Sequence, residues 1–116
     1  MSQATTPTSD TAGDLPLDIE SMRSSALRLM GPEAQVPPSD VELATLTLTL
    51  RGHLKLLVPE VESVARKLSE DDVPRPCALV CAREARQRLS LPPGLAHARR
   101  ISRSVNALCD HMEALS

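Results

Sequence analysis

Apolar residues return every three or four positions through most of this chain. Ile19, Met22, Ala26 and Leu29 form the first such stripe, the spacing of a helix face turned to a core. Asp18 stands just before it as an N-cap, and Gly31-Pro32 stops it. Gln35 to Pro38 reads as a linker. Ser39 and Glu42 then have capping-box spacing, so a second helix begins there. Leu43, Leu46, Leu50, Leu54, Leu57, Val61, Val64 and Leu68 carry one face to residue 68. Pro59 lies inside this run. It removes a backbone donor and crowds the carbonyl of Lys55, which predicts a kink there or a break into two helices.

Thr45 to Leu50 also alternates with period two, as a half-buried strand would. The strand has no second strand in the chain to pair with, and the helical period continues through it, so helix is the stronger reading. Asp72 is positioned to cap a third helix, with Pro74 in its first turn. Its stripe is Ala78, Cys81, Ala82, Ala85 and Leu89. Leu91-Pro92-Pro93-Gly94 breaks the chain again. A last helix presents Leu95, Ala98, Ile101, Val105, Leu108, Met112 and Leu115. Residues 1–14 hold almost nothing to bury and read as a disordered tail. Residues 15–116 then form a single all-α domain, a small antiparallel bundle of about four helices with the first docked loosely.

Composition sharpens this picture. The chain has 116 residues and no Phe, Trp or Tyr. Its core must be aliphatic, with Ala and Cys letting helices approach closely. The same lack removes the stacking platforms used by single-strand nucleic-acid binders. Net charge is −2 but unevenly spread. Residues 1–42 carry seven acids against Arg23 and Arg28, whereas between Val73 and Cys109 seven arginines face only Glu84. Three cysteines and no secretion signal fit reduced thiols and a cytoplasmic location. No apolar run approaches the roughly 20 residues of a membrane span.

Candidate chemistry is sparse. Cys77 and Cys81 share a helix face, but the tight Cys-x-x-Cys turns of structural zinc sites are absent, so the three thiols read as core residues. Glu60 and Glu62 point to different faces and form no carboxylate pair. Cys109, Asp110 and His111 are neighbours on a helix, about 100° apart, and cannot act as a catalytic chain among themselves. His53, at the edge of the apolar stripe, could meet His111 or Cys109 across the bundle, although a satisfied, partly buried histidine is the simpler reading. No glycine-rich phosphate loop, nucleophile elbow or dinucleotide fingerprint occurs, and no cofactor is implied. Arg83 and Arg86, and Arg99, Arg100 and Arg103, share helix sides that read as solvated faces paired with Glu60, Glu62, Glu84 and the acidic turn. Leu91 to Gly94 makes a poor helix-turn-helix turn, so nucleic acid is disfavoured. In the second helix Val41, Leu48, Leu56 and Val58 lie off the main stripe. A helix apolar nearly all round is central in its bundle or shared with a partner, and central burial is the first expectation.

The run LTLTLRGHLKLLVPEVESVARKL, the turn EDDVPRPCAL, the segment EARQRL and the ending HARRISRSVNALCDHMEAL resemble a family of small actinobacterial proteins of unknown function, commonly labelled natural product biosynthesis proteins. The resemblance covers roughly the last two thirds of the chain and, more loosely, LPLDIESMRSSALRLM. The family ending has an aromatic residue where this chain has Met112. The resemblance implies an association with specialised metabolism and no particular reaction. Arg51, His53, Glu60, Glu62, Asp71, Asp72, Arg99, Arg100, Asp110 and His111 are the matching positions for any shared polar surface, or for a polar network that fixes the packing.

These readings favour a non-enzymatic accessory or regulatory module that binds another protein, or a second copy of itself. The alternative is an enzyme or small-ligand binder with a site between helices built on His53, Glu60, Arg100 and His111. DNA binding through the arginine faces is third.

Overall fold

A computed structural model of the protein describes residues 17–92 and 94–115. The tail expected over residues 1–14 lies outside them. Among the described residues the chain forms four α-helices, a 3-10 turn and no strand: α1 (Ile19–Met30), the turn (Pro32–Gln35), α2 (Asp40–Arg66), α3 (Pro74–Leu89) and α4 (Leu95–Leu115).

Each helix starts and stops for a local reason. The Asp18 carboxylate accepts from Ser21 N at 3.1 Å and from Ser21 Oγ at 2.7 Å, satisfying an orphan donor of α1. Gly31 closes α1 by donating to Leu27 O at 2.7 Å. Ser39 caps α2, its hydroxyl accepting from Glu42 N at 3.1 Å. Glu42 does not complete the capping box. Its carboxylate instead accepts two bonds from Arg28, both at 2.8 Å, which ties the end of α1 to the start of α2. The α2 helix continues as one element through Pro59. Pro59 and Lys55 are both exposed, so the carbonyl left without a donor can turn to water instead of ending the helix. Thr45 to Leu50 is helical, in keeping with the longer apolar period. Asp72 does not cap α3. That position falls to Val73, which has no side-chain bond, while Asp72 turns back to accept from Ser69 N at 3.2 Å.

Burial follows the stripes. Met22, Ala26 and Leu29 of α1, Leu50, Leu54, Leu57 and Val61 of α2, the three alanines of α3 and Ala98, Ile101, Val105 and Leu108 of α4 make one continuous core. The alanines let α3 lie close to its neighbours. The α4 helix packs on all three others, whereas α1 and α3 flank the α2–α4 pair and do not meet. The first helix is firmly docked, with Ala26 wholly buried. Its Arg23 also donates to Asn106 at 2.9 Å and pairs with Asp110 at 2.8 Å and with Glu113 on α4. None of the helices is long and apolar enough to cross a membrane.

Two further expectations need correction. Of the four off-stripe residues of α2, only Val58 is buried. Val41, Leu48 and Leu56 are 78%, 74% and 57% exposed, because α2 has neighbours on only part of its circumference. The cysteines also divide: Cys109 is buried, Cys81 half-buried and Cys77 exposed. Cys77 falls one position before Ala78, which turns it off the buried stripe.

Candidate functional site

The N-terminal half of α2 and the connection between α3 and α4 enclose an open groove of about 850 Å³. One wall is Asp40, Leu43, Ala44, Thr47, Leu48 and Arg51. These positions recur along α2 at helical spacing, so they line a single strip of its surface. The other wall is Leu89 to Pro92 with Gly94. Gly94 has φ +150°, a conformation that side chains with a Cβ rarely adopt. It turns the chain sharply from this wall into the first turn of α4.

The lining is mostly aliphatic, and its small polar groups are already engaged. Thr47 donates to Leu43 O at 2.8 Å, and Ser90 donates to Gln87 O at 2.7 Å. The charges sit apart: Asp40 in the first turn of α2 and Arg51 three turns further on. Eleven residues of helix separate them by about 16 Å. Neither enters an ion pair among the described residues.

Arg51 meets the imidazole of His97, whose Nε2 lies 3.3 Å from Arg51 Nη1. His97 is only 4% exposed. A guanidinium can only donate, so Nε2 accepts and the neutral ring carries its hydrogen on Nδ1. That Nδ1 is buried with no hydrogen-bond partner among the described residues. Burial first, then the positive charges of Arg51 and Arg100, hold the His97 pKa below the usual histidine value. The cation at the end of the groove therefore rests on an uncharged support.

The other residues singled out from the sequence are spread over the bundle. His53 is half-buried with Nε2 3.4 Å from Ser25 Oγ on α1, and no hydrogen bond joins it to His111 or Cys109 among the described residues. Its pKa is lowered by burial, with Asp18 opposing. Glu62 accepts two bonds from Arg86, one of them at 3.2 Å, and this pairing holds its carboxyl below the ordinary range. Asp110 pairs with Arg23. Asp71 and Asp72 bond within their own turn. Arg100 is exposed, and its carbonyl accepts from Arg88 at 3.4 Å. Arg99, Glu60 and His111 are half-buried, and none of the three enters an ion pair among the described residues. No group of three or more His, Cys, Asp or Glu close enough to hold a metal ion occurs among the described residues.

Of the ten, Arg51 is the one at the groove. Its partner His97 was not among them. The period of α4 places His97 next to Ala98 on the stripe, but nothing in the sequence sets it against a residue 46 positions earlier.

Residues 20–116 match the model of a family of unknown function, DUF6415. No curated protein and no solved structure matches the chain.

Proposed function

We propose that this chain, which belongs to that family of unknown function, is a non-enzymatic accessory or regulatory protein that works by binding another protein through the outer side of α2. One observation carries this reading. Val41, Leu48 and Leu56 are large, aliphatic and mostly in water, on a helix whose opposite side is core. Single exposed aliphatics are ordinary, but several along one helix beside an apolar groove mark an interaction surface. Their exposure costs solubility, and no contact among the described residues repays it.

An accessory role in specialised metabolism belongs to the same proposal, on the resemblance to actinobacterial natural product biosynthesis proteins. The alternative site between helices has less support. His53 bonds to Ser25 on α1 and Arg100 is exposed on α4, and no bond among the described residues links any two of its four residues. DNA binding is weaker still, since Arg86 is paired with Glu62 and Arg88 is engaged with Ser104.

The test is Leu48→Asp, which places a charge in the middle of the surface without touching the core. Wild type and variant are compared for self-association in solution and for proteins retained from a lysate of the source organism. An association lost in the variant supports the reading. Two chains that behave identically in both assays would remove it.

A further inference from the structure

We propose that the occupant of the groove is the same strip of α2 from a second copy of the chain, packed antiparallel about a two-fold axis. This names the partner for the interaction surface argued above and rests on that reading.

The strip is self-complementary in its order. Asp40, Leu43, Ala44, Thr47, Leu48 and Arg51 read nearly the same in both directions when acid is exchanged for base. In an antiparallel pair of helices, positions meet when their numbers have a constant sum. If Ala44 faces Thr47, then Leu43 faces Leu48 and Asp40 faces Arg51, each pair occurring twice. The small residues fall at the centre, where two helix backbones must approach, and the leucines flank them. The charges fall at the two ends with opposite signs opposed. A two-fold interface requires this self-complementarity, because each surface meets itself reversed.

Among the described residues Leu48 and the two end charges of the strip are left without a counterpart in the same chain. Leu48 is 74% exposed. Asp40 and Arg51 form no ion pair among the described residues. Arg51 is held in place by His97, which contributes a hydrogen bond and no charge, so its positive charge is available to a carboxylate from outside. Leu91 and Pro92 on the facing wall provide apolar surface for Leu48 of the second copy, displacing water from both. A small amphipathic acid could pair with Arg51, but it would leave Asp40 facing its apolar end. A second copy answers both charges with one pattern.

The test is a charge exchange on the full chain, read as the dimer dissociation constant by sedimentation equilibrium. Asp40→Arg and Arg51→Asp each oppose like charges at both ends and weaken the dimer by about tenfold or more. The double variant restores the opposite-charge pairs in reversed order and returns the constant to near the wild-type value. Circular dichroism confirms that each variant keeps its helix content, and Leu48→Ala provides an independent weakening that leaves the charges alone.

Three results would overturn the proposal. One is a wild-type chain that stays monomeric at its highest soluble concentration. Another is a dimer indifferent to both single exchanges. The third is a double variant no tighter than the singles. A monomer that loses a retained lysate protein on Leu48→Asp would refute the second copy and leave the interaction surface standing. A monomer that retains nothing refutes both. A monomer whose groove amides shift on titration with decanoate would make a small acid the occupant instead.

Discussion

Arg51 on α2 and His97 on α4 lie 3.3 Å apart between guanidinium and ring nitrogen, a permanent cation supported by a buried base that must stay neutral. Protonating His97 would set two positive charges against each other with Arg100 nearby, and would cost the acceptor that orients Arg51. The arrangement therefore works on one side of the histidine titration only.

That gives a pH dependence with a definite sign. The folded pKa of His97 lies below its unfolded value of about 6.5. Where the unfolded chain takes up a proton that the folded chain refuses, stability rises with pH. The contribution is fully present above the unfolded pKa and is lost as pH falls through the folded one. His53 is shifted in the same direction by burial and adds to the slope. Urea midpoints measured from about pH 7 to about pH 5 are expected to fall, and less steeply in His97→Gln. A midpoint flat across this range, or an unchanged slope in the variant, contradicts the arrangement.

Leu54 and Leu48 give a second contrast. Leu54 is fully buried, whereas Leu48 is mostly in water. Leu54→Ala removes burial and leaves a cavity, at a cost of about 2–5 kcal/mol in unfolding free energy. Leu48→Ala, measured dilute enough for the chain to be monomeric, changes it by less than about 0.5 kcal/mol. Equal losses from chemical denaturation would mean that Leu48 belongs to the core.

The three thiols are expected to react in order of exposure. Burial pushes the Cys109 thiol up to about 11 and raises Cys81 as well, so at neutral pH both hold little of the nucleophilic thiolate. Cys77 is exposed. Maleimide labelling of the native chain should show one fast site, abolished by Cys77→Ser, and three sites after denaturation. A fast site that survives Cys77→Ser would place another thiol in water.

Arg28 and Glu42 join α1 to α2 by two parallel bonds of 2.8 Å. Both side chains are partly exposed, with relative exposures of 19% and 42%, so solvent screens the pair. A double-mutant cycle with Arg28→Ala and Glu42→Ala should return a coupling of about 0.5–1 kcal/mol that shrinks with added salt. A coupling near zero at low salt would mean that the 3-10 turn alone sets the angle between these helices.

Helix content and the buried stripes were legible along the chain because they depend on periodicity. A residue on the face of Leu50, Leu54, Leu57 and Val61 is buried in almost any bundle that forms. Asp18, Gly31 and Ser39 act within a few residues of themselves, so their roles as caps and stops needed no knowledge of the fold. Asp72 shows the limit of that logic, since a capping residue can spend its carboxylate on a neighbouring turn instead.

What tertiary structure alone decided is which parts of each helix are covered. The aliphatic residues of α2 nearly encircle it, and although the helical period sets Val58 nearer the buried stripe than Leu56, it does not say how far round the helix the cover reaches. The answer depends on α1 and α3 standing on opposite sides of the α2–α4 pair. The meeting of Arg51 with His97, and the groove between α2 and the α3–α4 connection, are of the same kind. They join residues far apart in sequence, and helix packing directions, which local patterns do not encode, bring them together.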